Sequence, residues 1–276
     1  MRREMLWALP LFGVLGCGQH AATDESPPAA HTANAAHPSA RASAGPARWT
    51  YDGENGPEAW GSIAPETAAC AGRRQSPIDL LTATPRGKLS RVAFNYQPTP
   101  LVLRHNGHVI QGENKARSSI FIGPRRRDFH ELVRYEIHSP SEHTIDGEPF
   151  DLEVQLVHKN VDGELSVVSL LFRAGEESPA LAPIVEHAPA EESEKAARVP
   201  GATLDLGKLI PPGGAYFRYP GSLTAPPCTE EVSWIVMSTI LEASQDQIDR
   251  LVEQAGGPTS RPVQPTNGRR VQRFAP

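Results

Sequence analysis

The chain has 276 residues, enough for one large domain or two small ones, and its net charge is −5. This acidic balance, without a long basic patch, argues against nucleic acid as a partner. The one short basic run, residues 125–127, lies between Gly123-Pro124 and Asp128, so it is interpreted as a solvated hairpin tip.

Residues 1–17 predict an export signal. A basic start, MRRE, precedes an apolar run that is too short to span a bilayer and that ends in Val14-Leu15-Gly16-Cys17. This ending resembles the cleavage box of bacterial lipoproteins, in which the cysteine takes a diacylglyceryl group and becomes the new N-terminus. An ordinary signal peptide and an uncleaved apolar tail are the alternatives to a lipid anchor at Cys17.

Residues 18–47 are rich in Ala, Pro, Ser and His and have almost no large apolar side chains. Such a segment cannot bury enough surface to offset the entropy of ordering it, so a disordered tether is predicted, with one folded domain at 48–276. We expect an envelope lipoprotein on the periplasmic or outer face. Gly18, which is not an acidic retention signal, favours the outer membrane.

The cysteine count agrees with export. Of the three cysteines, Cys17 is assigned to the lipid, which leaves Cys70 and Cys228. These two are free to pair in an oxidising compartment.

Strand signals dominate the folded part. They are short runs with many β-branched and aromatic residues, at 92–96, 101–105, 119–123, 131–138, 150–158, 165–172, 216–223 and 232–237. The turn pairs Asp146-Gly147 and Asp162-Gly163 predict a meander of strands near 132–145, 150–159 and 165–173. Helices are predicted near 179–185 and from Ser244 to the residue before Gly256. The predicted fold is therefore mainly β with surface helices, a mixed α/β composition.

The segment RYEIHSPSEH, residues 134–143, places Arg134, Glu136 and His138 on one face of a predicted strand. This trio is a working site, the remains of one, or a strand face in contact with water. In the same phase, the two following strands would present to one cavity Glu153, Gln155, Val157 and Val167.

Seven strings, in order and at matching spacing, resemble the α-class carbonic anhydrases. They are GPEAW (56–60), QSPIDL (75–80), NGH (106–108), SPSEHTIDG (139–147), LVHKN (156–160), GSLTAPPCTEEVSW (221–234) and RPVQPTNGR (261–269). The resemblance implies a large twisted, mostly antiparallel sheet with a central conical cavity. The family activity that it implies is the reversible hydration of carbon dioxide on zinc.

The resemblance also implies a degenerate metal site. The family's three zinc histidines correspond to Glu136, His138 and Gln155, so only His138 is retained. Glutamine is a poor zinc ligand, and an anionic ligand reduces the charge that acidifies bound water. Zinc is therefore expected to be weak or absent, with no cofactor at full occupancy.

Other family positions are retained. His108 corresponds to the proton shuttle. Thr224 and Glu142 correspond to the pair that orients the zinc-bound hydroxide, so the resemblance implies that the Thr224 hydroxyl donates a hydrogen bond to Glu142. The apolar substrate pocket corresponds to Val157, Val167, Leu223 and Trp234. The residues around the ligands correspond to Arg134, Glu153 and His143, with Arg134 in place of a glutamine. Cys70 and Cys228 correspond to the disulfide of secreted members.

Two functions follow from these correspondences. The first is a carbonic-anhydrase-related pseudoenzyme, a surface or binding domain in which Arg134 pairs with Glu136 and Gln155 donates to Glu153. The second is an altered enzyme, either a weak carbonic anhydrase or an esterase-like hydrolase with another metal. The sequence names no protein partner and no small-molecule ligand.

The lipid anchor gives the first testable prediction. Replacing Cys17 by alanine removes the thiol to be acylated, so the protein should move from the membrane fraction to the soluble one or fail to be processed. Cell fractionation measures this change. Unchanged partitioning into the membrane would contradict an anchor at Cys17.

Overall fold

The computed structural model describes residues 48–276; the predicted signal, Cys17 and the predicted tether lie outside the described residues. The first strands are β1 (Asp79–Leu80), β2 (Ala93–Asn95), β3 (Thr99–His105), β4 (Ile110–Glu113), β5 (Ser119–Phe121), β6 (Phe129–His138) and β7 (Thr144–Ile145). They are followed by β8 (Leu152–Lys159), β9 (Leu165–Ala174), β10 (Ala197–Leu204), β11 (Tyr216–Ser222), β12 (Glu230–Met237), β13 (Leu241–Ala243) and β14 (Gln272–Phe274). The α-helices are α1 (Trp60–Ile63), α2 (Ala182–His187) and α3 (Gln245–Gln254). The 3-10 helices are Gly53–Asn55, Pro65–Ala71, Arg126–Asp128 and Leu206–Leu209.

Twelve of these strands form one sheet, with the order β10-β3-β4-β6-β8-β9-β12-β11-β14 and with β5, β2 and β13 attached beside this path. Its pairings are antiparallel except for β9 with β12 and β9 with β13, which are parallel. Strands β1 and β7 form a separate parallel pair. The predicted mainly β fold with a mostly antiparallel sheet is therefore confirmed.

Both faces of the central strands are buried. Along β8, Leu152, Val154 and Leu156 pack into one apolar cluster with the helices, whereas Val157 packs into a second cluster on the other face. This alternation follows from the period of two in a strand. The second face holds the predicted cavity residues.

The predicted strand over 132–145 ends earlier than expected, at His138. Pro140 has no N–H for a ladder hydrogen bond, so the chain leaves the sheet at Ser139-Pro140. Asp146 and Gly147, with φ of 51° and 81°, form a tight turn between Ile145 and Glu148 instead of joining β6 to β8.

The helix predictions are confirmed with small shifts. Helix α3 has Ser244 as its N-cap, with the reciprocal hydrogen bonds of a capping box to Gln247. Helix α2 begins at Ala182, slightly later than predicted. Between residues 48 and 276, no helix is long and apolar enough to cross a membrane.

Cys70 and Cys228 form the predicted disulfide, with their Cα atoms 4.9 Å apart. It joins the 3-10 helix at Pro65–Ala71 to the loop before β12, and both sulfurs pack in one cluster with Trp60. The chain-entropy relation gives a link across so long a loop about 4–5 kcal/mol of stabilisation.

The buried side chain of His158 should make the free energy of unfolding depend on pH. Its side chain is fully buried on β8, where Nε2 lies 2.9 Å from the Tyr96 hydroxyl, and burial lowers its pKa to about 3. Because the unfolded chain takes up this proton near pH 6.5, stability is complete above that pH and is lost as the pH falls toward 3. At its steepest, the loss from this group is about 1.4 kcal/mol per pH unit.

Urea unfolding of wild type and His158→Gln between those pH values measures this contribution. The free energy of unfolding of the variant should fall less steeply with decreasing pH, by about 1 kcal/mol per pH unit, whatever its stability at neutral pH. His187→Gln, which alters an exposed histidine at the end of α2, is the matched control and should keep the wild-type slope. Equal slopes for wild type and His158→Gln would contradict the prediction.

Candidate functional site

A cavity of about 220 Å³ opens on the face of β6, β8 and β9. Its floor is polar and is formed by Arg134, Glu136, His138 and Gln155. Its apolar wall is formed by Val157, Val167 and Leu223, next to Thr224. The predicted face therefore lines a cavity and is not simply a solvated strand surface.

Strand register brings the floor together. Glu136 on β6 lies opposite Gln155 on β8, and His138 lies opposite Glu153. On the other side of β6, Gln111 of β4 lies opposite Glu136. Side chains at such paired positions project from the same face of the sheet. The prediction that Glu153 faces the cavity is wrong. Its side chain is fully buried beneath Gln155 and does not line the cavity.

The predicted pairing of Arg134 with Glu136 is confirmed. Arg134 Nε donates to Glu136 Oε1 at 2.9 Å, and Gln111 Nε2 donates to the same oxygen at 2.6 Å. Gln111 Oε1 accepts in turn from Arg104 Nε at 2.8 Å. Burial acts to raise the pKa of Glu136, but Arg134, His138 and Gln111 together outweigh it and leave the pKa below its ordinary value. Glu136 is therefore held as a carboxylate by groups of the protein.

Gln155 joins two buried carboxylates. Its Nε2 donates to Glu142 Oε2 at 2.6 Å and to Glu153 Oε1 at 3.1 Å, and the second bond was predicted. The expected hydrogen bond from Thr224 to Glu142 is wrong. Glu142 Oε2 is taken by Gln155, and Glu142 Oε1 accepts from the backbone N–H of Arg261 at 3.0 Å.

Glu153 lies at the centre of the hydrogen bonds beneath the floor. Its Oε1 accepts from His143 Nδ1 at 2.9 Å and from Ser169 Oγ at 2.8 Å. Its Oε2 accepts from the backbone N–H groups of Glu142 and His143. Burial alone would raise the pKa of Glu153, but His143 and these hydrogen bonds lower it to about 2. The carboxylate is therefore ionised and fixed in position.

Trp234 differs from its predicted place in the substrate pocket. It is fully buried, its ring centroid lies 4.7 Å from that of His143, and its Nε1 donates to the carbonyl of Ser222 at 2.8 Å. It does not line the cavity. Trp234 therefore packs against His143 beneath the floor, and its own donor is satisfied by a backbone carbonyl.

His138, the one zinc-ligand position that the resemblance implies is retained, is 2% exposed. Its Nδ1 donates to the Thr259 carbonyl at 2.7 Å, and its Nε2 has no hydrogen-bond partner among the described residues. Burial would lower its pKa, but nearby carboxylates, Glu142 first, together with the Thr259 carbonyl raise it overall. The unpartnered Nε2 is therefore on a side chain that lines the cavity floor.

His108 lies at the cavity wall, stacked on Trp49 with ring centroids 3.5 Å apart. Burial lowers the pKa of His108 below its ordinary value. Tyr51 lines the same cavity, and its buried hydroxyl has no hydrogen-bond partner in residues 48–276. The predicted shuttle residue thus faces the cavity but is held against an indole ring.

The three family ligand positions do not fit a zinc ion. A catalytic zinc site takes three protein ligands, whereas here Glu136 Oε1 accepts two hydrogen bonds and the Gln155 amide nitrogen donates two. Among the described residues, His138 Nε2 is the one fully buried polar atom at these three positions that has no hydrogen-bond partner. Within the described part of the chain, no group of three or more His, Cys, Asp or Glu side chains is arranged to hold a metal ion.

A family model described as eukaryotic-type carbonic anhydrase matches residues 55–275, which is most of the chain. The chain belongs to the carbonic anhydrase family. The resemblance seen in the seven strings is therefore confirmed, and the family is zinc-dependent.

Named relatives agree with this assignment. A carbonic anhydrase of Nostoc sp. is 37% identical over 228 residues, covering 81% of this chain and 84% of the relative. Dioscorin dioA3 of Dioscorea japonica is 38% identical over 230 residues, covering 80% and 83% of the two chains. The family thus includes relatives that are not named for the enzyme.

The fold agrees as well. The α-carbonic anhydrase of Thermovibrio ammonificans, solved with sulfanilamide, has a TM-score of 0.77 and 35% identity to this chain. The match covers 83% of this chain and all of the solved one. The match therefore spans the full length of a solved α-carbonic anhydrase chain.

Three residues of this carbonic anhydrase family site were missed by the sequence analysis. Gln111 lies on β4, a strand that was not predicted although IQGE follows the NGH string. Arg261 opens the RPVQPTNGR string, and its buried guanidinium donates to Gln75 Oε1 and to two backbone carbonyls. Tyr51 lies before the first matching string.

The Arg134–Glu136 pair predicts a measurable coupling. Both side chains are mostly buried, at 27% and 17% exposed, so a double-mutant cycle with Arg134→Met and Glu136→Gln should give about 1–2 kcal/mol of coupling in unfolding free energy. The control cycle uses Arg48 and Glu192, which are also 2.9 Å apart but are 75% and 56% exposed. That cycle should give no measurable coupling, because solvent screens the pair. Equal coupling in the two cycles would contradict the prediction.

Proposed function

We propose that this domain is a non-catalytic member of the carbonic anhydrase family, a binding or surface domain that keeps the cavity of the enzymes without their zinc hydroxide. One observation carries the proposal: both replaced ligand positions, Glu136 and Gln155, are held by hydrogen bonds from or to other side chains of the protein. The three exchanges at positions 134, 136 and 155 act together.

Charge balance supports this proposal. A carboxylate in a mostly buried position needs a nearby cation or several donors, because an unpaired buried charge costs several kcal/mol. Arg134 supplies that cation to Glu136 from two residues away on the same strand face. In a zinc enzyme of this family the metal would supply the charge, so Arg134 takes over its electrostatic role.

The retained family residues also have structural roles here. Glu142 accepts from Gln155 and from the backbone of Arg261 and is 1% exposed, so it is satisfied without Thr224. Thr224 lies at the cavity without a bond to that carboxylate. Proton transfer through His108 requires a metal-bound water of near-neutral pKa, which this floor does not generate.

We also propose that the domain is carried on a bacterial envelope membrane by the lipid at Cys17, with the outer membrane favoured. The support is the sequence of the first 18 residues, and the disulfide agrees with an oxidising compartment. The molecule bound in the cavity is not identified by these features.

A second candidate is an altered enzyme with a weak metal site. The observation that favours it is the unpartnered Nε2 of buried His138, since a metal ligand needs a free nitrogen. For this candidate, Glu136 would have to leave Arg134 and bind the ion. Zinc content separates the two candidates.

Protein purified without added metal should contain well under one zinc per chain by elemental analysis, and it should show no carbon dioxide hydration above background in stopped flow. The triple variant Arg134→Gln, Glu136→His, Gln155→His should bind zinc and hydrate carbon dioxide. It restores three imidazoles and removes the competing cation. It also frees Glu142 Oε2 for Thr224.

The single variant Gln155→His is the matched control. Arg134 still neutralises Glu136 in this variant, and only two imidazoles face the ion, so zinc binding should remain weak. Stoichiometric zinc and hydration in the unmodified protein would overturn the proposal and establish the altered enzyme instead.

A further inference from the structure

A second surface, away from the cavity, combines exposed apolar side chains with unpaired cations. Residues 48–276 contain six large apolar side chains that are exposed, and four of them lie around the β5–β6 turn: Phe121 (42%), Phe129 (37%), Val133 (39%) and Val161 (63%). Isolated exposed apolar residues need no explanation, but a cluster of this kind marks an interaction site. We call these four side chains, with the cations named next, the basic-apolar patch.

The patch is built by neighbouring strands and turns. Phe121 and Phe129 are cross-strand partners of β5 and β6, with ring centroids 5.0 Å apart. The β5–β6 turn contacts the β8–β9 turn, since Asn160 Nδ2 donates to the Arg127 carbonyl at 3.1 Å. Phe129, Val133 and Val161 line one shallow depression between these turns. The apolar side chains are therefore contiguous in space although separate in sequence.

Four cations complete the patch. Arg117 and Lys159 line the depression, and Arg126 and Arg127 project from the turn. No carboxylate of the described residues lies within 4.0 Å of any of the four, whereas Arg125 of the same turn is paired with Asp128. Glu131 is the one carboxylate that lines the depression. Asp162 and Glu164 are also exposed on the β8–β9 turn, so the four unpaired cations outnumber the three neighbouring carboxylates by one, on a chain whose net charge is −5.

We propose that the basic-apolar patch docks on an anionic lipid surface. Phenylalanines beside a turn can enter the interfacial region, while arginine and lysine keep their charges at the headgroups. A second copy of this chain fits less well, because a symmetric contact would gather the four unpaired cations of each copy in one interface. Residues 125–127 are exposed between the antiparallel strands β5 and β6, as the predicted solvated hairpin tip requires, and the proposal gives this tip a binding role.

The test uses residues 48–276, the complete domain, with sucrose-loaded vesicles of phosphatidylcholine alone or mixed equally with phosphatidylglycerol. The domain should sediment with the anionic vesicles only, and raising the salt to about 1 M should weaken this binding. Arg126→Gln/Arg127→Gln should weaken it about 30-fold, at about 1 kcal/mol per basic residue near an anionic surface. Phe121→Ser should weaken it about tenfold by removing apolar insertion.

The matched control is Arg173→Gln/Arg198→Gln, which removes the same charge from exposed sites outside the patch and should keep the wild-type affinity. Thermal melting identifies any variant that fails to fold. If Arg126→Gln/Arg127→Gln fails to fold, Arg126→Lys/Arg127→Lys is tested instead, and this variant should retain vesicle binding. Equal losses in patch and control variants, equal binding to both vesicle types, or no binding would overturn the proposal. A dimer in solution that Phe121→Ser dissociates would overturn it too, and would assign the patch to self-association.

Discussion

The site depends on one constraint: the carboxylates of Glu142 and Glu153 are buried beneath the cavity and must be satisfied inside the protein. Backbone N–H groups and His143 satisfy part of this requirement, and the amide of Gln155 completes it by donating to both carboxylates. Position 155 therefore needs a donor whether or not a metal lies above it. An apolar side chain there would leave Glu142 Oε2 without a donor and would remove one of the three donors to Glu153 Oε1.

This constraint divides the site into two parts. The lower part, around Glu153, His143 and Trp234, is a structural support whose hydrogen bonds are complete within the protein. The upper part, at Glu136, His138 and Gln155, faces the cavity and holds the three positions that the resemblance implies as zinc ligands. Retention of family residues in the lower part is explained by folding, so it carries no information about catalysis.

The sequence predicted the sheet, the shared face of Arg134, Glu136 and His138, the Arg134–Glu136 pair and the disulfide, because these follow from strand period, spacing and family order. It did not predict that Gln155 displaces Thr224 from Glu142. That partner choice depends on how the segment after His138 folds back beneath the floor, which no local pattern records. Gln111 was missed because β4 has only four residues and contains Gly112.

The parallel pairing of β9 with β12 has a consequence for how the chain reaches its native state. Strand β9 ends at Ala174, and its partner begins only at Glu230. Until that later segment is available, one edge of a strand rich in valine and leucine has no partner, which makes it a template for aggregation. Pairing across such a separation also closes a long loop, which slows folding. The middle of the sheet is thus completed late, and a chain cut before Glu230 would leave it open.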